Sequence, residues 1–154
     1  MARAGLARVV PAGVERLADW LALRKALYSP LEDAFHETEM RQILGSKEQA
    51  CFLVLDESGV PLGFMELSLR NFVDGCLGSP VGYVEGLYVV PEARGRGIAR
   101  MMLEHALRWS REHGCRDIAA DTGIADEEAQ RFWAAMGFRE TYRIVEFKRS
   151  LSGK

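Results

Sequence analysis

Cysteine is scarce in this sequence, and long apolar runs are missing. The three cysteines, Cys51, Cys76 and Cys115, stand far apart and form no CxxC pair. An odd and dispersed set predicts reduced thiols and excludes a disulfide framework or a zinc knuckle. No stretch approaches the roughly 18 uninterrupted apolar residues of a membrane span, and the first residues lack the apolar run of a signal peptide. We therefore expect a cytoplasmic protein that does not enter a membrane.

An excess of basic charge is also missing. The chain has 20 Lys and Arg against 22 Asp and Glu, a net charge of −2, which excludes a broad nucleic-acid-binding surface. Its three histidines, His36, His105 and His113, lack the spacing of metal ligands, so no metal site is expected. With 154 residues, 48% of them apolar, and no visible repeat or linker, we predict one domain over residues 1–154 that needs no cross-link.

Hydrophobic periodicity predicts a mixed α/β fold with the element order β-α-α-β-β-β-α-β-α-β-β. Helices are expected to end near Ser29-Pro30 and Gly114, and a turn-rich link over 57–61 predicts an antiparallel hairpin. The predicted helices cover 14–28, 32–44, 98–113 and 126–137; the predicted strands cover 7–10, 51–56, 62–69, 83–90, 115–121, 138–142 and 144–148.

The segment from Val89 to Arg100 carries the clearest chemical signal, because it joins a strand to a helix through two glycines. Gly95 and Gly97 allow a ligand to approach the backbone closely, and the first amides of the following helix are unpaired. Three arginines add charged donors, so the segment predicts a pyrophosphate cradle. A P-loop or a dinucleotide fingerprint fits less well, since Gly97-Ile98-Ala99 lacks the required Gly-Lys-Ser/Thr and Arg100 stands where a third glycine is needed. A tight turn with solvated arginines is the simpler alternative.

This run, Arg94-x-x-Gly97-x-Ala99 after a strand that ends in Val-x-Pro, resembles the acetyl-CoA loop of the GNAT superfamily of N-acetyltransferases. The later segment from Phe132 to Phe138 (FWAAMGF) resembles the last helix of that superfamily and its Gly-Phe exit. The resemblance implies the GNAT acyl-CoA N-acyltransferase fold, with acetyl-CoA as co-substrate and no metal.

A narrower resemblance is to the aminoglycoside 6'-N-acetyltransferases. It rests on separate blocks, which are LRKALY at 23–28, VDGC at 73–76 with Ser79-Pro80, VEGLYV at 84–89, GCR at 114–116 and ADT at 120–122. The resemblance implies transfer of acetyl to the 6'-amine of an aminoglycoside antibiotic, by direct attack and without a covalent enzyme intermediate. It also implies a homodimer with the C-terminal strands in the interface, where they could reach the partner's site.

The GNAT resemblance also implies which residues bind acetyl-CoA. The central strand offers backbone groups to the pantetheine arm, and the amide of Leu87 is the candidate donor to the oxyanion that develops on the thioester. Asp126 stands where the family usually carries Asn, so it is either a helix N-cap or a CoA contact. The implied cofactor-binding residues are Leu87, Tyr88, Val89, Arg94, Gly95, Arg96, Gly97, Ile98, Ala99, Arg100 and Asp126.

Two carboxylates match the acidic substrate positions of the 6'-acetyltransferases. The acceptor ammonium must lose a proton before it attacks, so a carboxylate is needed to bind it and help the proton leave. We assign Glu85 as general base through water and Asp121 as the ammonium anchor. The simpler alternatives are that Glu85 is an ordinary exposed strand residue and that Asp121 caps the Thr122-Gly123 turn. Trp133 occupies the position of the usual tyrosine acid, so solvent or Tyr142 would protonate the thiolate.

The acceptor wall is expected around Tyr28, which replaces a tryptophan of close relatives, and Phe72, which stands where a tyrosine is common. Asp74 in the long loop adds a carboxylate that suits a polycationic drug. A cluster of Glu32, Asp33, Glu37 and Glu39 either lines the same site or is a solvated face. Two other functions remain open: acetyl transfer to another amine, such as a polyamine or a protein N-terminus, and a non-catalytic acetyl-CoA-binding regulatory module.

Overall fold

The structure, a computed structural model, describes residues 6–28 and 30–153. The chain divides into two compact units, Met1–Asp121 and Thr122–Lys154. In chain order the first unit contains β1 (Arg8–Pro11), a 3-10 turn (Val14–Arg16), α1 (Leu17–Leu27), α2 (Asp33–Gly45), β2 (Gln49–Leu55), β3 (Pro61–Arg70), β4 (Val81–Val89), a second 3-10 turn (Pro91–Ala93), α3 (Ile98–Glu112) and β5 (Ile118–Ala120). The second unit contains α4 (Glu127–Ala135).

The five strands form one sheet in the order β1-β2-β3-β4-β5. The first four strands are antiparallel, and β5 is parallel to β4 because α3 carries the chain back across the sheet. The predicted α/β class and the hairpin between β2 and β3 are confirmed.

Helices cover both faces of the sheet, and the core lies between the layers. On one face, Trp20 and Leu23 of α1 and Met40 of α2 pack with Leu53 and Phe64 of the sheet. On the other face α3 buries its apolar side, which consists of Ile98, Met102, Leu103, Ala106 and Trp109. Because β3 has a helix on each side, six of its residues in a row are buried.

A β-bulge interrupts the pairing of β3 with β4. Glu66 pairs with Gly86, whereas Leu67 pairs with Val84, so Glu85 is the extra residue on β4. A bulge re-aims the side chain of the residue it inserts. Accordingly, Glu85 is exposed while its neighbours Val84 and Gly86 are buried.

The second unit consists of α4 and a long C-terminal segment. The Asp126 carboxylate caps α4, since it accepts a hydrogen bond of 3.0 Å from the Ala129 amide. Trp133 contacts the rings of Phe132 and Phe138, at centroid distances of 5.2 and 4.9 Å. These ring contacts account for the aromatic residues Phe132 and Trp133 of α4.

The two strands predicted over 138–142 and 144–148 are wrong for the single chain. Residues 138–150 form no ladder in the structure. Their apolar side chains are exposed, by 65% for Ile144, 79% for Val145 and 92% for Phe147. A strand is stable only when its backbone groups pair with a neighbour, and this segment has none among the described residues.

Smaller differences concern where elements begin and end. The helix predicted over 14–28 begins as a 3-10 turn, and α1 ends at Leu27; Ser29 of the predicted stop lies outside the described residues, as does the start of the chain at residues 1–5. The strand predicted over 115–121 is only three residues long. Across the described ranges, no helix has the length and apolar character needed to cross a membrane.

Candidate active site

The glycine-rich turn before α3 has the geometry expected of an anion cradle. Gly97 is the N-cap of α3 with φ of 79°, a left-handed conformation that favours glycine. No side chain caps this helix end, so its first amides are free to meet a ligand. Arg96 and Arg100 are exposed beside it. The Nε of Arg94 instead donates to the Val89 carbonyl at 3.0 Å, which fastens the turn to the end of β4.

The last part of β4 has one free edge. On one side Leu87 and Val89 pair with Met65 and Gly63 of β3. On the other side, in the part of the chain that the structure describes, β5 pairs with β4 only from Gly82 to Val84. The backbone that precedes the glycine-rich turn can therefore bind an extended ligand arm on that side.

An acidic cavity of about 430 Å³ lies between α1, α2, β3 and β4. Three carboxylates and one guanidinium line it, from Glu39, Glu66, Glu85 and Arg24. Tyr28 adds an aromatic wall. A cavity lined by more acidic than basic groups attracts a cationic ligand.

Glu66 is a buried carboxylate at the base of this cavity, with a side-chain exposure of 5%. Trp20 Nε1 donates to its Oε2 at 2.8 Å, and Arg24 Nε lies 3.2 Å from the same oxygen. Burial raises the pKa of Glu66, while the Arg24 guanidinium and the Trp20 N–H lower it. Arg24 also donates to the His36 carbonyl and pairs with Glu39, so it ties α1 to α2 and to β3.

Tyr28 lies directly against the β4 backbone. Its hydroxyl is 3.4 Å from the Glu85 carbonyl and 3.5 Å from Glu66 Oε1. A Cβ atom on Gly86 would overlap this hydroxyl, so the close contact requires glycine at position 86. Burial, and after it the charge of Glu66, raise the pKa of Tyr28, so the phenol is a neutral donor at physiological pH.

The Glu85 carboxylate is held by two residues of β3. Ser68 Oγ donates to Oε1 at 2.6 Å. Arg70 binds both oxygens, with Nε at 2.9 Å from Oε1 and Nη2 at 2.8 Å from Oε2. The hydrogen bonds that Arg70 donates to Glu85, opposed by partial burial, raise the pKa of Arg70. Glu85 is therefore fixed at the bulge, facing the cavity, in a two-point ion pair.

Asp121, one residue beyond β5, has a phenolic donor from β4. The Tyr83 hydroxyl donates to Asp121 Oδ2, and the Arg70 guanidinium lies over the Tyr83 ring at 3.4 Å from its centroid. Burial and the hydrogen bond to Asp121 raise the pKa of Tyr83. The two predicted carboxylates are thus joined through Arg70 and Tyr83.

The other predicted substrate residues lie outside these contacts. Phe72 and Asp74 are exposed in the loop between β3 and β4, and Phe72 has 75% of its surface accessible. Tyr142 is 64% exposed in the second unit. In the acidic cluster of the first helices, Asp33 pairs with Lys25 at 2.9 Å, whereas Glu39 lines the cavity. Throughout the described residues there is no group of three or more potential metal ligands.

The sequence reasoning missed Glu66, Ser68 and Arg70. These residues alternate along β3, on the face that carries Phe64 toward α1. The available signal was this period of two, which places polar side chains at every second position of an otherwise apolar strand. Arg24 and Tyr83, which connect this face to α2 and to Asp121, were missed as well.

The fold and the turn before α3 correspond to a known family. The model of the Acetyltransferase (GNAT) family matches residues 17–138, and the chain belongs to that family. The match begins with α1 and ends just beyond α4, so it includes the glycine-rich turn, the acidic cavity and the FWAAMGF segment. The predicted superfamily is confirmed.

Within the family, the chain is similar to proteins named aminoglycoside N(6')-acetyltransferase type 1. The protein of that name from Serratia marcescens is 38% identical over 138 residues, which cover 89% of this chain and 94% of the relative. The one from Stenotrophomonas maltophilia is 38% identical over 135 residues, 87% of each chain. The solved structure of AAC(6')-Iy in complex with the bisubstrate analogue CoA-S-monomethyl-acetylneamine has a TM-score of 0.91 at 32% identity and covers 95% of this chain and 99% of its own. The analogue is consistent with acetyl-CoA as co-substrate here.

Proposed function

We propose that this chain is an aminoglycoside 6'-N-acetyltransferase that confers resistance by transferring acetyl from acetyl-CoA to the 6'-amine of the drug. The observation that carries the proposal is the acidic cavity with its Tyr28 wall, which reaches β4 at Glu85, two residues before Leu87. Polycationic sugars suit such a cavity. The 38% identity to relatives named for this activity supports the same substrate class.

Acetyl-CoA would bind along β4 and the turn that follows. The backbone of Leu87, Tyr88 and Val89 would hold the pantetheine arm at the free edge of the strand. The pyrophosphate would lie over residues 94–100, at the uncapped start of α3. Asp126 serves as the α4 N-cap in the structure, and a further contact to CoA remains part of the proposal.

The reaction is a direct transfer. The neutral 6'-amine attacks the thioester carbonyl, the C–N bond forms, and the C–S bond breaks with the electron pair leaving on sulfur. Asp121 anchors the acceptor ammonium, Glu85 takes one proton from it through a water molecule, and the Leu87 amide donates to the oxyanion. The nitrogen loses its second proton to solvent after the C–N bond has formed. Solvent, or Tyr142, returns a proton to the CoA thiolate. Tyr28, Phe72 and Asp74 complete the acceptor site.

We also propose that residues 1–154 act as one catalytic domain, in the cytoplasm. The family match runs through both compact units, which supports a single domain. Cys51, Cys76 and Cys115 form no disulfide, as suits a reducing compartment where acetyl-CoA is available.

The function is tested by measuring thiol release from acetyl-CoA with different acceptors. Kanamycin and tobramycin carry the 6'-amine and are expected to be turned over, whereas paromomycin, with a 6'-hydroxyl, and spermidine are expected to be inactive. Acetylation of paromomycin would move the reaction to another amine. Selective use of spermidine would favour a polyamine acetyltransferase, and acetyl-CoA binding without turnover of any acceptor would favour a regulatory module.

The C-terminal segment, residues 138–151, supports the proposal of a homodimer. Its apolar side chains, Tyr142, Ile144, Val145, Phe147 and Leu151, are 64–97% exposed. A stretch of this kind marks an interaction surface. We assign a second copy of this chain as its occupant, because the segment has the β-branched and aromatic residues of a strand but pairs with no strand in the part of the chain that the structure describes.

We expect the wild-type protein to be a dimer by light scattering after size-exclusion chromatography. Replacing both Val145 and Phe147 with aspartate is expected to shift it to monomer, because charged side chains cannot be buried unpaired. Val60→Asp is the control, since Val60 is an exposed apolar residue of the β2–β3 turn and its variant should stay dimeric. A monomeric wild type would contradict the proposal.

A further inference from the structure

The contacts around Arg70 link the two carboxylates of the acceptor site into one unit. Ser68 and Arg70 hold Glu85 through three hydrogen bonds of 2.6–2.9 Å. The same guanidinium lies over the Tyr83 ring, and the Tyr83 hydroxyl donates to Asp121. Accepting the proposed function, we propose that Arg70 and Tyr83 are positioning residues, which hold Glu85 and Asp121 at the spacing that one acceptor ammonium requires.

The charge balance of this unit fits that role. Two carboxylates on adjacent strands repel each other, and a cation between them offsets the repulsion. With Arg70 in place, Glu85, Asp121 and the guanidinium together carry one negative charge. One substrate ammonium neutralises that charge. The Tyr83 hydroxyl is neutral, so it orients Asp121 and leaves the net charge of the unit unchanged.

A stabilising role does not account for the arrangement. The side chains of Arg70 and Glu85 are 41% and 33% exposed, and exposed ion pairs contribute little to folding. A two-point guanidinium–carboxylate pair does, however, fix the direction of the carboxylate. Tyr83 is 6% exposed, so its ring is a fixed platform for Arg70. These contacts therefore fix the directions of the carboxylates more than they stabilise the fold.

Two variants separate the contacts. Tyr83→Phe keeps the ring under Arg70 but removes the donor to Asp121. Arg70→Lys keeps the charge but loses the two-point contact and the planar stack. Each is expected to lower kcat/KM for kanamycin by about three- to tenfold, within the net effect of one ordinary hydrogen bond, because each residue acts through a carboxylate and does not itself bind the substrate. The KM for acetyl-CoA and the melting temperature should change little. Arg108→Lys, on the exposed side of α3, is the matched control and should behave as wild type.

Double-mutant cycles test whether each residue acts through its carboxylate. In an Asp121→Asn background, Tyr83→Phe is expected to change kcat/KM by less than about twofold. In a Glu85→Gln background, Arg70→Lys is likewise expected to change kcat/KM by less than about twofold. Wild-type kcat/KM in either single variant, or an undiminished effect in either background, would overturn the proposal.

A readout without an acceptor separates this inference from the proposed function. In protein labelled with ¹³C at tyrosine Cζ, Asp121→Asn is expected to shift the Tyr83 resonance, while Glu104→Gln on α3 should leave it in place. If no aminoglycoside is acetylated but the resonance moves, the proposed substrate is wrong and the contact stands. If kanamycin is turned over and the resonance does not move, the positioning role of Tyr83 is wrong.

Discussion

Replacing Glu85 with glutamine is expected to lower kcat for kanamycin acetylation by about a hundredfold to a thousandfold. General acid–base catalysis typically contributes about 10²–10⁴-fold, and the expected loss lies in the lower part of that span. Glutamine has nearly the size of glutamate and can still accept the hydrogen bond from Ser68, although its amide NH2 cannot accept from Arg70 and one of the two Arg70 contacts is lost. Glutamine is not basic, so it cannot accept the proton that the acceptor ammonium loses through the bridging water molecule. Steady-state kinetics with saturating acetyl-CoA measures the effect.

Binding of acetyl-CoA by calorimetry is the companion measurement for this variant, and its affinity should match that of wild type. Glu104→Gln is the matched control, because Glu104 is exposed on α3 and outside the proposed site. A Glu85→Gln enzyme with the full wild-type kcat would contradict the assignment of Glu85 as base.

Glu66→Ala is expected to cause the largest loss of folding stability, about 3–5 kcal/mol. Removing one member of a buried ion pair typically costs this much, and here it leaves the buried Arg24 guanidinium dependent on the partly exposed Glu39. Here the variant removes the carboxylate next to Arg24 Nε and the acceptor of the Trp20 N–H. It also empties part of the base of the cavity. Urea unfolding followed by tryptophan fluorescence measures the change in free energy.

Glu39→Gln is the matched control for Glu66→Ala, since it removes the other carboxylate that pairs with Arg24. The Glu39 side chain is 39% exposed, so water can replace its interaction and a loss of about 1 kcal/mol or less is expected. Equal losses for both variants would contradict this expectation, because the buried Glu66–Arg24 pair would then stabilise the fold no more than the partly exposed Glu39–Arg24 pair.

The elements that the sequence predicted well are those whose signal is local. The helix over 98–113 and the hairpin of β2 and β3 follow from periodicity and turn residues within each segment. The strands predicted over 138–142 and 144–148 have the residue pattern of strands, but a strand also needs a neighbour. In the described part of the chain no strand lies beside them, and a local residue pattern cannot indicate whether a neighbour is present.

The candidate site also has one part that the sequence predicted and one part that it could not predict. The turn around Gly97 and its arginines could be predicted because a strand, two glycines and a helix are consecutive in the chain. The partners of Glu85 could not, since they depend on the register of β3 against β4. The bulge at Glu85 shifts that register by one residue and brings Arg70 and Tyr83 to the same place. The regular alternation of side chains along a strand does not indicate where such a shift occurs.

The contact between Tyr28 and Gly86 links the residues that positions 28 and 86 can accept. A larger residue at position 86 meets the phenol of Tyr28, so a first mutation there disturbs the aromatic wall before it brings any benefit. A mutation that shortens residue 28 opens the space that a side chain at 86 requires. The two positions are therefore coupled: a side chain at position 86 requires Tyr28 to shift or to be replaced by a smaller residue, and such a change would reshape the acidic cavity.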